Sequence, residues 1–308
     1  MAFGPMSYAV LLAFGAITVS YLLLDLGFFH KEARTLSFRQ ALWQSVVIIL
    51  IALVFGGFVW HEKGSSSAIE YYSAYSMEYA LSLDNVFVIM LILRYFSIPP
   101  PYHHRVLFWG VLGAIVMRGI FIFAGVLLVK RFHFVLYLFG AFLIFAGIKS
   151  LFSREEGPVD LSQNWLLRFL TRRFRFTTEM PGGRFVVRIE GKRYLTPLML
   201  ALILIEFTDL LFAVDSIPAA FAITQDEEVL FSSNIFAVMG LRSLFFLLAA
   251  GVRRFWALEI GIPLILIGIG LKMFQDFVAL VIPTWYSLVF ILVVLSVSVV
   301  ASLLYPKR

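Results

Sequence analysis

The chain has 308 residues, of which 61% are hydrophobic and 14% charged, and its mean hydropathy is +0.93. These values exclude a soluble globular domain and require a polytopic membrane protein. The net charge of +6 is what basic inner-side loops produce in such proteins, so nucleic acid is not expected as a partner, and the absence of cysteine excludes disulfides and thiolate metal sites.

Nine apolar runs reach the roughly 20 residues needed to span a bilayer. In chain order they cover 6–29, 41–60, 71–94, 106–129, 133–152, 196–223, 234–252, 256–275 and 284–305. The first is not expected to be a cleaved signal peptide. It has no basic leader, is too long for an h-region, and carries Asp25 near its end. With the N-terminus outside, eighteen of the 25 Lys and Arg residues fall on the inner side, and only Lys63, Lys130 and Arg131 fall outside. That bias predicts an N-out, C-in topology. Trp60, Trp109, Trp256 and Trp285, near span ends, read as interface anchors.

Between the fifth and sixth runs lies a basic inner loop, roughly 153–195. Its second half, GGRFVVRIEGKRYLTP, alternates around Glu190-Gly191 and predicts a small hairpin. The tract TQDEEVLFSS predicts an acidic outer loop.

Two of the runs place carboxylates well inside the span. MEYALSLDNVFVIMLIL places Glu78 and Asp84 in one helix, and LALILIEFTDLLFAVDSIPAAFAI places Glu206, Asp209 and Asp215 in another. A carboxylate at mid-bilayer costs about 2.5–3.5 kcal/mol, so five are tolerable only around a polar interior, which usually marks an ion or substrate path. Aligning Asp84-Asn85 with Asp215-Ser216 brings Glu78 onto Asp209, an offset of 131. Arg118 and Arg242 then correspond at an offset of 124, and Lys149 and Lys272 at 123. Three helices recur as three helices, and an odd number of spans reverses direction, so the copies are expected to be inverted repeats of the kind common in secondary transporters.

The domain organisation that follows is two N-terminal helices (1–69), a first three-helix repeat (70–152), the basic loop (153–195), a second repeat (196–276) and a last helix (277–308). The fold class is an all-α polytopic membrane protein.

Helical spacing puts Glu78, Ser82 and Asn85 on one stripe, and Asp209, Ala213 and Ser216 on its counterpart. Pro218 supplies no amide hydrogen to the Val214 carbonyl, so a bend or opening is expected beside Asp215. Carboxylates, an amide, hydroxyls and carbonyls are all oxygen donors and suit Mg²⁺, Ca²⁺ or Mn²⁺. The histidines (His30, His61, His103, His104 and His133) lie in loops or at span ends and read as interfacial. A structural role is the alternative for each acid, with Glu78 pairing with Arg118 and Asp209 with Arg242. Five acids against two mid-span arginines leave excess negative charge, which favours a bound cation or proton.

The strings YSMEYALSLDNVFV, YHHRVLFWGVLGAIVMRGIFIFAG, YLTPLMLALILIEFTDLLFAVDSIPA and SSNIFAVMGLRSLFFLLA resemble the TerC family of integral membrane proteins, nearest its Alx-like branch. The resemblance implies a multi-pass protein of the bacterial cytoplasmic (inner) membrane that exports Mn²⁺, with relatives linked to tellurite resistance and alkaline-pH response. It carries functional roles onto Glu78, Asp84, Asn85, Glu206, Asp209, Asp215 and Ser216. No permanent cofactor and no enzyme activity are expected, and Mn²⁺ enters as transported substrate. Two other classes compete. One is a membrane assembly or stress-resistance scaffold in which the acids are structural. The other is an intramembrane aspartyl protease using Asp84 and Asp215, which the missing GxGD and PAL signatures disfavour.

Overall fold

The computed structural model describes residues 8–29, 38–132, 134–152, 169, 172–249, 256–275 and 282–305. Its elements are α1 (Tyr8–Phe29), α2 (Phe38–Tyr95), α3 (Pro100–Arg131), α4 (Val135–Phe152), β1 (Val186–Ile189), β2 (Lys192–Leu195), α5 (Pro197–Ile223), α6 (Glu227–Ala249), α7 (Leu258–Lys272) and α8 (Thr284–Leu304). Among the described residues, six helices are long and apolar enough to cross a membrane: α2 to α6 and α8. The stretch Tyr8–Leu24 of α1 is apolar but shorter, and α7 has 15 residues.

The second and third predicted spans are not separated by a loop. They form the two arms of α2, 38–63 and 65–95, interrupted only at Gly64 with φ 86° and ψ 178°, a conformation open to glycine. The arms fold back on each other. The Tyr71 hydroxyl donates to the Ala52 carbonyl at 3.0 Å and the Tyr72 hydroxyl to that of Leu53 at 2.9 Å, while the Tyr72 ring covers Gly56.

The predicted acidic outer loop is also largely helix. Asp226 Oδ1 accepts from the backbone N–H groups of Glu228 (3.0 Å) and Val229 (3.3 Å) and so caps α6, with Glu227 and Glu228 placed at the positive end of its dipole. Ser232 and Ser233 return their hydroxyls to the carbonyls of Glu228 and Val229, both at 2.6 Å, which lets them be buried. Polarity that reads as a loop in sequence is satisfied inside a helix. From Val229 to Phe246 α6 is buried nearly all round, the mark of a helix enclosed by the rest of the bundle.

Side-chain contacts fix which helix ends lie together. Lys63 bonds Asp226 at 2.5 Å and Glu228 at 2.6 Å, and Lys130 pairs with Glu227. These contacts gather the α2 break, the end of α3 and the start of α6 at one end of the bundle. The hairpin lies at the other. β1 and β2 pair antiparallel from Val186↔Leu195 to Ile189↔Lys192 around Glu190 (φ 50°) and Gly191 (φ 78°), the left-handed pair that tight hairpin turns require. Arg105, near the start of α3, donates to the Gly183 carbonyl at 3.0 Å and lies over the Phe185 ring at 5.8 Å. Met180 and Phe185 pack on the apolar cluster formed by the adjoining ends of α2, α3, α5 and α6.

The second arm of α2, α3 and α4 therefore run in the opposite sense to α5, α6 and α7. Helices α4 and α7 approach closely at Gly140, Gly147 and Gly270. A Cβ on Gly270 would stand 2.8 Å from the Gly140 carbonyl oxygen, and one on Gly147 would stand 2.8 Å from that of Pro263. Gly147→Val is accordingly expected to lose about 1–3 kcal/mol through overpacking against backbone that cannot step aside. Thermal unfolding in detergent measures this, and a wild-type midpoint would show that the seam spreads freely.

Pro218, where a bend or opening is expected, lies inside α5. α5 stays helical through Pro218 to Ile223.

Candidate ion site

The second arm of α2 and α5 bring their polar stripes together, with α3 and α6 completing the enclosure. Arg118, in the middle of α3, is the hub and is 1% exposed. Its Nη1 donates to Glu78 Oε1. Its Nε and Nη2 donate to the two oxygens of Asp209 at 3.3 and 3.1 Å, a two-point grip on one carboxylate. Nη1 also donates to Asn234 Oδ1 of α6 at 3.1 Å. Asn85 Nδ2 donates to Asp209 Oδ1 at 3.4 Å.

The stripes are placed as helical periodicity predicts. Glu78, Ser82 and Asn85 on α2 are all buried, as are Asp209, Ala213 and Ser216 on α5. The pairing differs from the structural alternative considered above, because Arg118 holds both Glu78 and Asp209. Arg242, 3% exposed on α6, lies within electrostatic reach of the Tyr21 phenol of α1.

Two buried carboxylates face one guanidinium, leaving a formal charge of −1. Glu78 Oε2, Ser82 Oγ, Asn85 Oδ1, Ser216 Oγ and Asn234 Nδ2 are buried without a hydrogen-bond partner among the described residues. Unpartnered buried polar atoms are costly, and an ion or water is what commonly satisfies them.

Of the remaining predicted acids, Glu206 joins the hub only through the charge of Asp209, and Asp215 makes no bond to it among the described residues. Glu206, one turn before Asp209 on α5, rests its carboxyl on Gly113 of α3, in the space a side chain there would fill. Asp215 is half-buried, and the charge that acts on it is Lys149 of α4. Asp84 lies in the second arm of α2, but its side chain, like that of Asp25, is outside the described residues. Among the described residues no three His, Cys, Asp or Glu side chains converge as a metal cluster. The guanidinium fills the space between Glu78 and Asp209.

Sequence reasoning missed Asn234. Its tract reads as the boundary of an acidic loop, and nothing in its spacing pairs it with Arg118. It also missed the cluster at the α2 break, where the Thr224 hydroxyl donates to Glu70 Oε2 at 2.5 Å beside the Lys63, Asp226 and Glu228 bridge.

These features define a polytopic helical membrane protein with a buried acidic and basic ion-pair network. Residues 63–308 match the integral membrane protein TerC family, and the chain belongs to that family. It is 43% identical over 298 residues to the uncharacterized membrane protein STKORF319 of Myxococcus xanthus, covering 96% of this chain and 92% of the relative. An uncharacterized membrane protein of Rickettsia felis is 40% identical over 292 residues, covering 94% and 96% respectively. The Alx protein of Salmonella typhi, named for membrane-bound redox modulation, is 40% identical over 252 residues, covering 79% of this chain and 78% of its own. No solved structure matches the chain. Like its TerC and Alx relatives, it is a multi-pass integral protein of the bacterial inner membrane.

Proposed function

We propose that this protein is a secondary transporter that exports a divalent cation, Mn²⁺ foremost, through oxygen ligands drawn from Glu78, Asp84, Asn85, Glu206, Asp209, Asp215 and Ser216. The observation that carries the reading is the buried hub, where two carboxylates oppose one guanidinium, and where buried oxygens of Glu78, Ser82, Asn85 and Ser216 on the same two helices have no partner among the described residues. A hard divalent cation takes such donors, and its charge offsets the excess.

The inverted-repeat reading supports a transporter. Under the offset of 123, Gly147 corresponds to Gly270 and Gly140 to Pro263. The contact of Gly147 with Pro263 is then the image of that between Gly270 and Gly140, as a twofold axis between the copies requires. In this reading the hairpin end faces the cytoplasm and the Asp226 end the outside. A cysteine at Gln225 is therefore expected to react with an impermeant reagent added to intact cells, and one at Glu190 only after permeabilisation. Labelling of both from one side would end the inverted topology.

Mn²⁺ efflux from proteoliposomes tests the function directly. Wild-type protein should move the ion down an imposed gradient, and Asp84→Asn should stop it, with Asp25→Asn milder. No flux from well-folded wild-type protein would leave the scaffold reading in its place.

A further inference from the structure

The two central carboxylates do not face an empty space. Arg118 stands between them, gripping Asp209 at two points and Glu78 at a third. Its remaining partner differs in kind. Asn234 Oδ1 is neutral, accepts at 3.1 Å from the same Nη1 that serves Glu78, and is held on the enclosed helix α6 with 1% exposure. A divalent cation brought onto Glu78 and Asp209 would meet the like charge of the guanidinium at contact distance, so both cannot hold the same carboxylate edges.

We infer that Arg118 is a tethered cation that keeps the substrate's place in the empty protein, and that Asn234 is the positioning residue that receives it when a divalent cation takes over Glu78 and Asp209. This rests on the transport reading. An amide suits the task. A carboxylate at 234 would hold the guanidinium permanently, and an apolar side chain would leave the displaced cation without an acceptor. Asn234 Nδ2, unpartnered among the described residues, leaves the amide free to reorient as the guanidinium changes partners. The empty protein never presents two bare carboxylates to the bilayer interior, so the return step of a transport cycle carries its own counter-charge.

The test is Mn²⁺ binding by titration calorimetry on purified full-length protein in lipid nanodiscs, paired with efflux from proteoliposomes. Arg118→Gln should bind Mn²⁺ at least about tenfold more tightly, because a competitor is gone, yet turn over more slowly. Asn234→Leu should bind about tenfold more weakly, and that loss should vanish in the double variant, since Asn234 acts only through Arg118. Weaker binding by Arg118→Gln, or the same Asn234→Leu loss with and without Arg118, would overturn the exchange. Should Arg118→Gln fail to reach the membrane, Asn234→Leu still decides, because it alters no charge. Unchanged or tighter affinity there also overturns the exchange. Wild-type protein that binds no Mn²⁺ removes the transport reading and the exchange together, a result distinct from binding in the wrong order of affinities.

Discussion

Asp209→Asn is expected to abolish Mn²⁺ efflux while the protein reaches the membrane at its normal level. The amide is nearly isosteric with the carboxylate, so α5 should insert and pack as before. What changes is the charge balance. Arg118 and Glu78 then cancel, and no net attraction for a dication remains at the hub. One strong oxygen ligand is lost as well, and in a dry interior the two losses should weaken binding on the order of a hundredfold or more. Initial efflux rates from vesicles, normalised to protein content, measure this. A parental rate would make Asp209 a device for helix register and move the ion path elsewhere.

Arg118→Leu carries the largest expected cost in stability. Removing one member of a buried ion pair leaves uncompensated charge, here Glu78 and Asp209, at about 3–5 kcal/mol. The informative comparison is the triple variant Arg118→Leu, Glu78→Leu, Asp209→Leu. Replacing a whole buried network by apolar residues is often neutral or stabilising, so most of the loss should return although no transport can. A triple variant as stable as the parent but inactive would show that the network is kept for its work on ions. A triple variant as unstable as Arg118→Leu alone would show that the network holds the helices together.

Much of this architecture is legible in the sequence because a bilayer imposes strong rules. Spans appear as apolar runs, and buried acids appear as exceptions to them. The stripes Glu78-Ser82-Asn85 and Asp209-Ala213-Ser216 follow from helical geometry alone, and the hairpin follows from alternation around Glu190-Gly191. What the sequence hides are choices made by tertiary contacts. The tract from Glu227 to Ser233 is polar enough to read as a loop, yet capping by Asp226 and the serine-to-carbonyl bonds make it helix. Arg118 taking both acids depends on how α3 approaches α5, which no pattern within one helix records. Asn234 belongs to the site only because α6 packs against Arg118. Pro218, a strong local signal, stands inside a helix that continues to Ile223.

The fold-back at Gly64 has a mechanical consequence. A glycine with positive φ between two long helices looks like a joint, but the arms are fastened to each other and, through Lys63, to the start of α6. The phenols of Tyr71 and Tyr72 are moored to the Ala52 and Leu53 carbonyls, Tyr71 meets Phe55 at 5.6 Å between ring centroids, and Lys63 is bolted to Asp226 and Glu228. The corner is a welded bracket. Load applied to Glu78 is therefore passed through these moorings to the first arm rather than absorbed at the glycine.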